Sequence, residues 1–188
     1  MVPHDDFGLE GGSIDSDGQG TIFTTACCLL APNRNQPLSE DDITLRLKSW
    51  LQAKRIVWLH HGQLIGDDTD GHIDTIVRPC PHNTLVYVGC DDTKDSQFDD
   101  FQALEDELKT LRNLDGQPYR LLRLPMPHPI YDDGDRLPAT YANFVILNGA
   151  VIMPTYRQPA NDQAAKTVLS QAFPDREIVC IDASTVVR

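Results

Sequence analysis

Short runs of contiguous apolar residues alternate along this chain with stretches in which apolar positions recur every three or four residues, and the alternation repeats three times. Contiguous runs of four to eight predict strands, and the helical period predicts amphipathic helices. In the first unit, predicted strands at 11–15 and 21–25 flank the turn Ser16-Asp17-Gly18-Gln19-Gly20, a Gly-rich hairpin signal. A helix is predicted over 39–53, with Ser39 as N-cap, Asp42 three residues later, and Ile43, Leu45, Leu47, Trp50 and Leu51 on one face. The run RIVWL (55–59) then reads as a buried strand.

The same order follows twice more. The second unit has predicted strands at 73–77 and 84–88 around the turn 79–83, a helix near 98–113 and a strand at 119–124. The third has strands at 141–147 and 150–154 joined by Asn148-Gly149, a helix near 162–172 and a strand at 177–181. Asn-Gly between apolar runs is a strong signal for a two-residue hairpin. The last strands of the units recur at intervals of about 60 residues, which predicts a repeat architecture of two strands, a helix and a strand. The expected modules are roughly 9–59, 72–124 and 139–182, within one α/β domain spanning 1–188. Units of this kind need neighbours to cover their sheets, and a radial arrangement supplies them. Three units leave such a ring open, and both ends of the chain read as cut.

Composition narrows the function. The chain has 188 residues, 40% hydrophobic, enough for a buried core. A net charge of −12 repels a phosphate backbone, so nucleic acid is not an expected partner. No run approaches the roughly 20 apolar residues that span a bilayer, and the first ten residues carry acids rather than a basic, then apolar, leader. A cytoplasmic protein without a membrane partner is expected. Five cysteines, an odd number without a C-x-x-C pair, read as reduced core thiols, four of them in or beside apolar, strand-like runs.

Two long connectors, 60–71 and 125–138, are where site residues are expected. The first runs into Gly66-Asp67-Asp68-Thr69-Asp70-Gly71-His72-Ile73-Asp74. If the strand begins at Ile73, His72 and Asp74 share a face. Histidine titrates near neutrality, and an aspartate beside it can hold a cation or orient the ring. The acids lack the spacing of a calcium loop and the H-x-D pair lacks a third zinc ligand, so neither metal nor cofactor is expected. On residue types alone, a plain surface turn remains the stronger reading of this segment. Glu10-Gly11-Gly12-Ser13 adds a carboxylate before two residues that allow close backbone approach, although Gly-Gly before a strand is more often a bend.

Taken together, LEGGSI (9–14), LLAPNRN (29–35), GDDTDGHID (66–74), RLPATYANF (136–144), NGAVIMP (148–154) and FPDREIV (173–179) resemble the agmatine deiminase family, which includes the Porphyromonas-type peptidylarginine deiminases, within the guanidino-group modifying enzymes. The resemblance implies a pentein-like α/β propeller of five pseudosymmetric ββαβ modules, of which about three lie in this chain. It implies a hydrolase that turns agmatine into N-carbamoylputrescine and ammonia through a cysteine amidino intermediate, a step in putrescine formation. Peptidyl or free arginine is the alternative substrate, and a non-catalytic guanidine-binding or assembly module the alternative role. By this resemblance His72 and Asp74 are catalytic, Glu10 and Asp68 bind a small cationic guanidine, and no cofactor is needed. The family's nucleophile lies in an N-x-H-C-like segment and a further aspartate in an R-D-x-G-P segment; neither is present. The chain alone is therefore expected to be an inactive fragment, whose exposed faces leave homo-oligomer formation open.

Overall fold

The computed structural model describes residues 7–187. A 3-10 turn at Gly11–Ser13 leads into β1 (Ile14–Ser16), which pairs antiparallel with β2 (Thr21–Thr25). The short helix α1 (Ala26–Leu29) and the longer α2 (Glu40–Leu51) follow, and β3 (Arg55–Leu59) returns parallel to β2. Ser39 and Asp42 form the capping box that the sequence predicts. Where a strand is predicted from Gly11, the chain instead curls, because the backbone N–H and hydroxyl of Ser13 both donate to the Glu10 carbonyl, at 3.1 and 2.6 Å.

The second sheet contains β4 (Val77–Cys80), antiparallel to β5 (Thr84–Gly89); after α3 (Phe98–Thr110), β6 (Arg120–Pro125) joins β5 in parallel. The strand predicted from Ile73 starts later. Residues Ile73–Thr75 form a 3-10 turn, because the Thr75 backbone N–H and hydroxyl both donate to the His72 carbonyl. Pro79 and Cys80, predicted as turn, extend β4 instead; β4 lies at the sheet edge, where a proline without an N–H is tolerated.

A small hairpin of β7 (Tyr131–Asp132) and β8 (Asp135–Arg136) precedes the third sheet. There β9 (Val145–Ile146) pairs antiparallel with β10 (Ala150–Thr155), and after α4 (Pro159–Ala172), β11 (Glu177–Asp182) lies parallel to β10. The strand expected over 141–147 is reduced to two residues because Tyr141, Ala142 and Phe144 turn into the core. The Tyr141 hydroxyl donates to Asp162 at 2.6 Å, and Thr140 donates to the Thr75 carbonyl at 2.7 Å.

Helices cover the sheets in a regular way. The first sheet turns Ile22 and Ile56 toward Ile43 and Leu47 of α2, and turns Phe23, Val57 and Leu59 into the core that holds Phe101, Leu104 and Leu108 of α3. In the second sheet Arg123 pairs with Glu105 of α3, whereas Arg120, on the opposite face, donates to the Gln171 carbonyl of α4. Each of these two sheets thus lies between its own helix and the helix of the next unit. No sheet closes on itself among the described residues, and no described helix is long and apolar enough to cross a membrane.

Candidate active site

Three of the four candidate residues meet although 62 positions separate the first pair: Glu10 precedes the first 3-10 turn, His72 caps the second, and Asp74 lies within that second turn. His72 Nε2 is in hydrogen-bond contact with Glu10 Oε2. They meet over Gly12. A Cβ there would lie 2.8 Å from Asp74 Oδ2 and against His72 Nδ1, so only a residue without a side chain lets the two turns close together. His72 and Asp74 converge through the 3-10 turn, not along a strand face as the sequence suggests.

The loop before His72 is held by Asp67, whose Oδ1 accepts from the Thr69 hydroxyl at 2.6 Å and whose Oδ2 accepts from Gly71 N at 2.6 Å. Gly71 has φ +87°, which favours glycine, and its carbonyl accepts from Thr25 Oγ1 at 2.5 Å. Arg34 ties the two halves together. Its Nη1 meets Glu10 Oε2 at 2.7 Å, and its Nη2 donates to the Thr69 carbonyl at 2.8 Å. The neighbouring Asn35 side chain accepts from Gly8 N and donates to Gly8 O, fixing the segment that carries Glu10.

The two carboxylates are held differently. Hydrogen bonds from Arg34 and His72 pull the Glu10 carboxyl below its ordinary range, and both fall on Oε2. Burial pushes the Asp74 carboxyl up against the opposing pull of Arg78 and His72. Its Oδ1 is buried and has no hydrogen-bond partner among the described residues. A buried acceptor without a donor is costly, so Asp74 is suited to a ligand that brings N–H groups and positive charge.

Asp68 does not join this group. It is exposed and lines an adjoining cleft of about 350 Å³ with Asp67, Thr75, Thr140, Asn143 and Pro154. Sequence reasoning left Arg34, Asp67 and Thr69 without roles, although they position the site. Arg34 lies in the PNRN run, whose charged residue between turn formers was the available signal. Among the described residues no cluster of His, Cys, Asp and Glu is placed to hold a metal ion.

The Porphyromonas-type peptidyl-arginine deiminase family model matches residues 2–188. This chain belongs to that family. The agmatine deiminase of Pseudomonas putida is 37% identical over 196 residues, covering 93% of this chain and 52% of the relative. A structure from Porphyromonas gingivalis, provisionally described as an arginine deiminase, shares 52% identity at a TM-score of 0.93, covering 96% of this chain and 53% of its own. A Cys-to-Ser variant of the C. jejuni agmatine deiminase with substrate bound shares 43% at a TM-score of 0.91, covering 97% and 53%. The chain spans about half the length of the curated relatives it matches.

Within this deiminase-family chain the cysteines divide by burial. Cys28, Cys80 and Cys90 are buried, and burial pushes the first two thiols up to about 12 and raises the third. Cys27 and Cys180 are exposed, against the expectation that all five pack in the interior. Cys27 lies in α1, two residues beyond the end of β2, and its Sγ lies against Gly71.

Proposed function

We propose that this chain contributes His72, Asp74 and Glu10 to a guanidine deiminase, most simply one that hydrolyses agmatine to N-carbamoylputrescine and ammonia. The observation that carries this is the buried, unpartnered Asp74 Oδ1 beside His72 and Glu10. A guanidinium is planar and bears N–H donors along its edges, so two carboxylates can hold it by charge-assisted hydrogen bonds. Asp74 offers Oδ1, and Glu10 offers Oε1, since Arg34 and His72 both meet Oε2.

In the proposed reaction a cysteine thiolate from outside these 188 residues forms a bond to the guanidinium carbon. One terminal C–N bond breaks, and the nitrogen leaves as ammonia with a proton from His72. His72 then takes a proton from water, whose oxygen attacks the amidino carbon. The C–S bond breaks, the new hydroxyl loses its proton, and a ureido product and the thiolate remain. The relative trapped with substrate as a Cys-to-Ser variant supports a cysteine in this role. Asp68 and the cleft it lines would contact the remainder of the substrate, agmatine or a peptidyl arginine. The units at 9–59, 72–124 and 139–182 would form one partial domain of a fivefold pentein propeller.

Two measurements test the proposal. Calorimetry with agmatine should give binding that Asp74→Asn and Glu10→Gln weaken by at least about tenfold each, the scale of a lost charge-assisted hydrogen bond. Equal affinities in all three proteins would end the assignment. Ammonia release by the 188-residue chain should be absent. Release that disappears in Cys27→Ala would make Cys27 the nucleophile and overturn the view that it comes from elsewhere.

A further inference from the structure

The connector that leads from β3 to the candidate site runs along one stripe of α3. Gln97, the N-cap of that helix, and Asp100, Leu104 and Glu107 within it recur every three or four residues, so they share one face. Each holds a successive part of the connector, in reverse order. His60 N donates to Glu107 Oε2 at 3.1 Å, Gly62 N and Gln63 N both donate to Asp100 Oδ2 at 2.8 and 2.7 Å, and Ile65 N donates to Gln97 Oε1 at 2.6 Å. Gly62, at φ +98°, lies against Leu104, where a Cβ would come 2.7 Å from Leu104 Cδ2. The lengths agree: from Gln97 to Glu107 the helix rises about 15 Å, and from His60 to Ile65 an extended chain spans about 16 Å. Two imidazoles close the start of this path. His60 Nδ1 lies 3.0 Å from Glu107 Oε1 and its Nε2 lies 3.6 Å from Glu40 Oε2 of α2, while His61 Nδ1 lies 3.1 Å from Asp100 Oδ1.

We infer that residues 60–65 are a strap clipped along α3, and that His60 and His61 are positioning residues that set where the loop bearing His72 sits. The inference rests on the reading of His72 as part of a guanidine site. Only Gly66, packed against the Arg136 carbonyl, separates the strap from Asp67, whose carboxylate holds Thr69 and Gly71. A shift of the strap is therefore passed on to His72. His60 makes the strap sensitive to pH. A neutral imidazole carries one N–H, so only the imidazolium donates to both carboxylates. The charged groups facing it are Glu107 from α3 and Glu40 from α2, and Asp100 of α3 faces the adjacent His61. Hydrogen bonding to Glu107, reinforced by Glu40, raises His60 above the ordinary histidine value. The clip to Glu40 is accordingly complete below the ordinary histidine range and is lost as pH rises through the raised value.

The test uses the intact 188-residue chain. Nuclear magnetic resonance follows the His60 ring, hydrogen exchange follows the Gly62, Gln63 and Ile65 amides after correction for its intrinsic pH dependence, and calorimetry follows agmatine. As pH rises through the His60 transition, exchange at these amides should quicken and agmatine affinity should fall, each by about threefold, the scale of one partly exposed ion pair. Glu40→Gln should move the ring titration, the amide transition and the affinity transition to lower pH together. His60→Asn should leave the three amides fast-exchanging at every pH, and His61→Asn those of Gly62 and Gln63; circular dichroism verifies that the variants fold. A merely structural contact would change affinity in the variants without moving the pH profile. The dependence expected from Asp74 has the opposite sign and does not respond to Glu40→Gln. Amide exchange that ignores the His60 transition, or a profile unmoved by Glu40→Gln, would overturn the inference. Affinity that stays flat while the amides respond would overturn the positioning role. Absence of agmatine binding at every pH would instead end the guanidine assignment, while ring titration and amide exchange still decide whether the strap exists.

Discussion

A methyl group at Gly12 would occupy space now bounded by the Asp74 carboxylate and the His72 imidazole. Gly12→Ala is therefore expected to push the two turns apart and abolish agmatine binding while leaving the sheets folded, which calorimetry and circular dichroism would show together. Asp74 carries a pH prediction. Its carboxyl is raised by burial, so the folded state holds a proton over a window in which the unfolded chain has released it. Stability contributed by this group accordingly falls as pH rises from the usual aspartate range through the raised value. A bound guanidinium favours the ionised form. Affinity should therefore climb with pH across the same window, with proton release on binding, measurable by calorimetry in buffers of different ionisation enthalpy. Affinity that is flat there would remove Asp74 from the ligand.

Among the elements, α2 was the most legible, because its signals are local. Ser39 accepts from Asp42 N, the Asp42 carboxylate returns to Ser39 N, and Ile43 and Leu47 face the first sheet. Ser39→Ala should lower stability by about 1 kcal/mol, the usual worth of an N-cap, read as a shift in urea midpoint with an unchanged slope. The RIVWL strand is also found at its predicted bounds. Elements whose form depends on distant partners were not legible. The expected strand over 141–147 has every local mark of a strand. It is mostly lost because Tyr141 reaches Asp162 and Thr140 reaches the Thr75 carbonyl, contacts spanning 21 and 65 residues.

At the scale of the molecule, one side chain joins all three sheet units. Arg78 of β4 donates to Asp15 of β1 at 2.6 Å and to the Ala142 and Phe144 carbonyls at 3.1 and 2.7 Å, and its guanidinium lies 4.6 Å over the Phe144 ring. It is largely shielded from solvent, so breaking these contacts leaves buried acceptors unmatched. Arg78→Ala should cost about 3 kcal/mol, the lower end for breaking a buried pair. Loss should appear as one transition by far-ultraviolet and near-ultraviolet dichroism alike, because the three sheets share this junction. Two separate transitions would mean that the units fold independently.

The sequence by itself determined the order of the longer strands and helices in the three units, though not α1 or the β7–β8 hairpin, together with the capping of α2, the family, and the segments that bear Glu10, His72 and Asp74. Each of these is written in local periodicity or in short contiguous runs of residues. Tertiary structure alone decided that Glu10 and His72 meet across 62 positions, and that Arg34 and Asp67 hold them there. It alone separated Asp68 from the group and left Val145 and Ile181 of the third sheet about half exposed. Such facts depend on which distant surfaces come to share one buried space, and burial is a property of the assembled chain.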